Sequence, residues 1–172
     1  MGTRADWYIG RGDKAEWLGS TAWDGNPGSI EEGGFLGSKT ADDFRAAVNK
    51  FLASRDDGTV PSQGWPWPWE DSGTTDYSYA LDDGVVYITC FGHGWYSYEE
   101  WKAHEAEVNE YYRAHKELAE KGLDNDAIHD KLGDEPDGLW ENDSDDPCVF
   151  PNMKDVQNVT FGRRSGVIIL RG

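Results

Sequence analysis

From Thr3 the chain reads TRADWYIG, in which Ala5, Trp7 and Ile9 alternate with Asp6 and Tyr8. A period of two is that of a β-strand. After the turn GRGDK comes AEWLGSTAW, so the pattern predicts a first hairpin, stopped by the Gly and Pro of WDGNPGS. The period then changes: in TADDFRAAVNKFLASR, from Thr40, the residues Phe44, Ala47, Val48, Phe51 and Leu52 recur at helical spacing, with Asp42 and Asp43 in the positive first turn. YSYALDDGVVYITCFG predicts a second hairpin about its Asp-Gly turn. Ser97 and Glu100 form a capping-box pattern that opens a helix from about Tyr98 to Lys121, closed by Gly122. Its stripe runs through Trp101, His104 or Glu105, Val108, Tyr111 or Tyr112, His115 and Leu118. DNDAIHDKLG predicts a short helix capped by Asp124 or Asn125, and VQNVTFGRRSGVIILR a third hairpin, apolar enough at VIIL for a central strand.

Merging the three hairpins gives an α+β domain: one antiparallel sheet, with one long and one or two shorter helices packed on one face. The chain of 172 residues suits a single domain, 1–172, with an acidic, loop-rich segment at about 123–147.

Between the first helix and the second hairpin lies GWPWPWED, residues 64–71. Each proline fixes its own φ and holds the preceding residue extended, so Trp65, Trp67 and Trp69 stand on a stiff rod. Nine Trp with modest aliphatic content imply a core built largely of rings. The rod then closes the open face of the sheet, with one ring left at the surface beside Glu70 and Asp71; the other reading is an exposed aromatic patch for a partner.

Composition changes the picture through charge. The formal net charge is −17, which opposes nucleic acid and anionic membranes and favours basic surfaces. Residues 123–147 hold ten acids against one Lys, and residues 61–100 hold seven acids and no Lys or Arg. Read functionally, Asp134, Glu135, Asp137, Glu141, Asp143, Asp145 and Asp146 present carboxylates at phosphate-like spacing with Trp140 as an apolar anchor, and Glu70 and Asp71 add to this partner-binding surface. Read plainly, the same run is a solvated loop that keeps the protein soluble.

No catalytic, metal or cofactor site emerges from the motifs. An EF-hand started at Asp124 has Asp126 at position three but Ile128 at position five, and no turn glycine follows. Cys90 and His93, three apart in a strand, point to opposite faces. His104 and His115 lie about three helical turns apart, too far for one metal. GRGD lacks the Lys-Ser/Thr ending of a phosphate loop and sits in a hairpin turn. Two cysteines without a CxxC, no apolar run of membrane length and no apolar leader predict a cytoplasmic protein without a membrane partner.

The amino-terminal stretch TRADWYIGRG…AEWLGSTAWDGNP, about residues 3–27, resembles a group of small, uncharacterised phage- and prophage-encoded proteins. These begin with a Thr-Arg-Ala strand and follow their second strand with an Asp-Gly-x-Pro turn. The resemblance transfers no activity, cofactor or site residue; it implies provenance as a phage-type accessory protein acting in the cytoplasm of a bacterial host. With the charge, the expectation is a non-enzymatic inhibitor, a DNA mimic of the anti-CRISPR or anti-restriction kind. It would occupy the basic nucleic-acid groove of a host defence or DNA-processing protein without binding nucleic acid itself. The alternatives are a small enzyme or ligand-binding domain with an aromatic pocket, and a virion assembly component.

Overall fold

A computed structural model describes residues 2–30, 34–139 and 148–154. Its strands are β1 (Ala5–Ile9), β2 (Glu16–Thr21), β3 (Gly58–Thr59), β4 (Tyr77–Asp82), β5 (Val85–Cys90) and β6 (Tyr96–Ser97). The helices are α1 (Pro27–Ile30), α2 (Ala41–Ala53), α3 (Tyr98–Glu120) and α4 (Asn125–Leu132). The predicted α+β class holds. The six strands form one sheet in the order β3-β2-β1-β4-β5-β6.

One expectation is corrected: the sheet is mixed, because β1 and β4 pair in parallel, Ala5 to Tyr77 through Ile9 to Leu81. The chain leaves β1 through β2, crosses α2 and the Trp-Pro rod, and re-enters beside the start of β1. Arg4 fixes that entry: its backbone N–H and its Nε both donate to Asp76, at 2.9 and 2.7 Å, and its carbonyl accepts from the Tyr77 N–H at 3.0 Å. The third predicted hairpin, 156–171, lies outside the described residues.

Local chemistry accounts for the element ends. Thr40 caps α2 by accepting from the Asp43 N–H at 3.2 Å, and Ser97 and Glu100 close a reciprocal capping box at the start of α3. Asp83 and Gly84, with φ of 48° and 74°, make the two-residue turn from β4 to β5 that right-twisted strands favour. The pairing of β1 with β2 slips by one residue between Trp7 and Tyr8: Trp7 faces Gly19, but Tyr8 faces Trp17. At this bulge Gly19 has φ 148°, and a Cβ there would stand 2.4 Å from both the Leu52 side chain and the Thr59 carbonyl. The slip reverses the phase of β2, sending Leu18 towards α2 and Trp17 to the opposite face.

Both faces of the sheet are therefore covered. On the first, Ala5, Trp7, Leu18, Tyr79, Leu81, Val86 and Ile88 pack with Ile30 of α1, Phe44, Val48 and Leu52 of α2, and Trp101 of α3. Trp7 meets Phe35 edge-on at 5.8 Å and stacks on Tyr79 at 5.7 Å. On the second, Tyr8, Trp17 and Ala80 pack beneath Trp65, Phe150 and Met153, with Trp67, Trp69 and Trp95 half-buried at the margin. The rod thus closes a core, and each of its indoles finds an acceptor: Trp65 the Trp69 carbonyl (2.7 Å), Trp67 the Asp6 carboxyl (2.8 Å) and Trp69 the Thr75 hydroxyl (3.1 Å).

Trp65 is 0% exposed and Trp23 is 59% exposed. Trp65→Ala is expected to cost about 3–5 kcal/mol through the cavity it leaves. Trp23→Ala should stay within about 0.5 kcal/mol of the parent. Urea denaturation followed by far-ultraviolet circular dichroism checks the contrast.

Candidate functional site

The long helix α3 buries a side chain against the body near its beginning. Trp101 is 9% exposed, is the one fully packed residue of the helix and stacks on Tyr98 at 5.9 Å. Beyond it the helix leans on α4, whose Ile128 is buried and whose cap Asp124 accepts from the Ala127 N–H at 2.9 Å. At 1.5 Å per residue the helix runs for about 35 Å, so α3 and α4 form an arm. Its sequence, residues 98–139, carries thirteen acids against five Lys and Arg. Glu117 and Glu120 stand in the last turn of α3, which itself holds no basic residue and where the helix dipole disfavours negative charge.

The structure divides the predicted partner-binding residues into three sets. Asp134, Glu135 and Asp137 sit together and exposed on the segment that follows α4. Asp134 is 3.5 Å from His129, and Glu135 accepts a hydrogen bond from the Tyr112 hydroxyl, which raises the Tyr112 pKa. Glu135 and Asp137 also line an open groove of about 450 Å³ with His104, Val108, Pro136 and Gly138. Glu70 and Asp71 are elsewhere, on the rod that covers the second face, whereas the arm is anchored to the first. Both do local work. Glu70 pairs with Lys154, which holds its carboxyl below the usual range, and its carbonyl accepts from the Met153 N–H at 2.7 Å. Asp71 caps the turn Ser72–Thr74 by accepting from the Gly73 N–H at 2.8 Å. Trp140, Glu141, Asp143, Asp145 and Asp146 lie outside the described residues.

Arginine does not neutralise the arm's exposed carboxylates at 134, 135 and 137 among the described residues. The body's arginines have closer partners: Arg4 with Asp76 (2.7 Å), Arg11 with Asp82 (3.0 Å), Arg45 with Glu16 (2.5 Å) and Arg55 with Asp57 (2.8 Å). Burial pushes the Cys90 thiol up to about 11, so it is protonated at neutral pH and a poor nucleophile. Among the described residues no group of three or more His, Cys, Asp or Glu could hold a metal ion, and no helix is long and apolar enough to cross a membrane.

Alternation marked Asp6 only as a polar position in β1, yet it is 0% exposed and sits at the centre of a hydrogen-bonded cage. Its Oδ1 accepts from the Ser20 hydroxyl and from Trp67 Nε1 at 2.8 Å, and its Oδ2 accepts from the Ser72 hydroxyl at 2.6 Å. Thr75 adds a further hydrogen bond. Ser72 is also 2.6 Å from the Tyr8 hydroxyl. Burial raises the Asp6 pKa above the ordinary carboxylate value, against the opposing pull of these donors. The cage ties the rod to the sheet.

Ser72→Ala strips one bond from Asp6 and one from Tyr8, and should cost about 1–3 kcal/mol in urea denaturation. Glu135→Gln combined with Asp137→Asn should leave stability within about 0.5 kcal/mol, since both side chains are exposed and Gln keeps an oxygen that accepts from Tyr112. No protein-family model matches the chain, and no match was found among curated proteins or solved structures.

Proposed function

We propose that the protein is a phage-type inhibitor that binds other proteins, placing its acidic arm in the basic nucleic-acid groove of a bacterial defence or DNA-processing protein. One observation carries the reading. The α3–α4 arm carries thirteen acids against five bases, with Asp134, Glu135 and Asp137 exposed at its edge and not engaged by any described arginine. A solubilising loop has no need of a helix to hold its charge in a set geometry, and the two carboxylates in the last turn of α3 oppose the helix dipole. A rigid row of carboxylates meets a groove shaped for phosphates without first losing the entropy of a floppy chain. The origin suggested by the amino-terminal resemblance, and with it a site of action inside the host cell, accords with this role.

Binding of this kind displaces counterions from both surfaces and weakens steeply with salt. With about six charge contacts the affinity should fall roughly a thousandfold between 50 and 200 mM salt. Affinity capture from a bacterial lysate at two ionic strengths identifies the target, and titration calorimetry then gives the dissociation constant. Joint reversal, Asp134→Lys with Glu135→Lys and Asp137→Lys, should weaken the complex at least tenfold and flatten its salt dependence. A dissociation constant indifferent to salt would refute the mimicry.

A further inference from the structure

A carboxyl shut away from water needs a countercharge or a proton. Asp6 has no countercharge among the described residues. Its donors are all neutral: Ser20 from β2, and Trp67, Ser72 and Thr75 from the segment that runs from the rod into β4. The groups near it that carry or could carry charge are otherwise engaged. Tyr8, on its own strand, is bonded to Ser72, and burial raises its pKa well above the usual value. Asp71, facing Tyr8, is negative and caps its own turn. Arg4 lies over Trp69 at 4.8 Å with its guanidinium committed to Asp76, and Glu70 is paired with Lys154.

The neutral acid is held in this cage once the Ser72 hydroxyl turns: Oδ2–H donates to Ser72, Ser72 donates onward to Tyr8, whose own proton then has no acceptor among the described residues, and Oδ1 still accepts from Trp67 and Ser20. The ionised form instead leaves a net charge in a dry interior, and the direct route to rehydrating it is to lift the segment that supplies three of its four donors.

We propose that Asp6 is a proton-linked latch: while it holds its proton the Trp-Pro segment stays clamped to the sheet, and when the proton leaves the segment opens, uncovering Trp67 and Trp69. This device is independent of the acidic arm, which is anchored to the opposite face. The sign follows from the direction of the shift. Because burial raises the closed-state pKa, the closed form is fully favoured below the ordinary Asp value of about 4. That advantage declines as pH rises through the closed-state value, by no more than about tenfold in the opening constant per pH unit. Tyr77 and Cys90, raised to about 12 and about 11, titrate beyond this window.

The experiment is amide hydrogen exchange from pH 4 to 8 on the full chain, corrected for intrinsic rates, comparing residues 67–76 with α2 as the internal reference. Protection of 67–76 is expected to fall with rising pH in the parent, while α2 holds. In Asp6→Asn, whose Oδ1 accepts and whose Nδ2 donates as the neutral acid does, the profile should be flat. Identical profiles in the two proteins, or protection that grows with pH in the parent, overturn the latch. Should Asp6→Asn not fold, carbon-13 titration of the parent's carboxyls decides: a midpoint for Asp6 above those of the exposed aspartates supports the proposal, and one at or below them refutes it.

Discussion

Asp6 puts an acid where a sheet normally puts an aliphatic residue, and the second face is organised around satisfying it. Register carries the consequence across the sheet: Thr59, Ser20, Asp6, Ser78 and Thr89 stand side by side on five neighbouring strands, all of them buried. A polar row of this kind has no partner in an aliphatic layer. It calls for a cover that brings both apolar area and N–H or O–H groups, and indoles supply the two together. Prolines at 66 and 68 complete the device by holding the indoles extended, so that little backbone freedom is lost when the cover closes. The unusual tryptophan content and the buried acid are thus two halves of one arrangement.

Much of the local structure was legible in the sequence because it rests on short-range rules. Thr40, Ser97 and Asp124 cap helices where their side chains predict, and the Asp83-Gly84 turn joins the strands it should. Non-local structure left no such mark. Parallel pairing between β1 and β4 joins segments with α2 between them and has no turn signature, so adjacent hairpins suggested an antiparallel sheet. The bulge at Leu18 and Gly19 shifts the phase of β2 through a close approach to Leu52 and Thr59 that no pattern within the strand reveals. Asp6 looked like an ordinary polar position because alternation names a face without saying what covers it. At the candidate site, the charge of residues 134–137 could be read directly, whereas the engagement of Glu70 by Lys154 depends on segments 84 positions apart that meet only in the fold.

Fold and surface are divided between different parts of the chain. Among the described residues, the body binds its arginines to its own acids and closes two aromatic cores, while the arm packs on the first core through Tyr98, Trp101 and Leu139. Charge on the arm is therefore decoupled from the packing of the sheet, and it can accumulate there without loosening the interior. The dipole mismatch at the end of α3 stays local for the same reason.

The parallel seam also dictates an order of assembly. Arg4 and Asp76, which set its register, are separated by 72 positions. During synthesis the first hairpin and α2 therefore emerge with one edge of β1 bare, its carbonyls and amides lacking their second neighbour. Until β4 clears the ribosome that edge is open to any extended segment nearby, including the same strand of another nascent chain. The rod follows α2 and β3 and precedes β4, so it is available to shield the second face while the seam is incomplete.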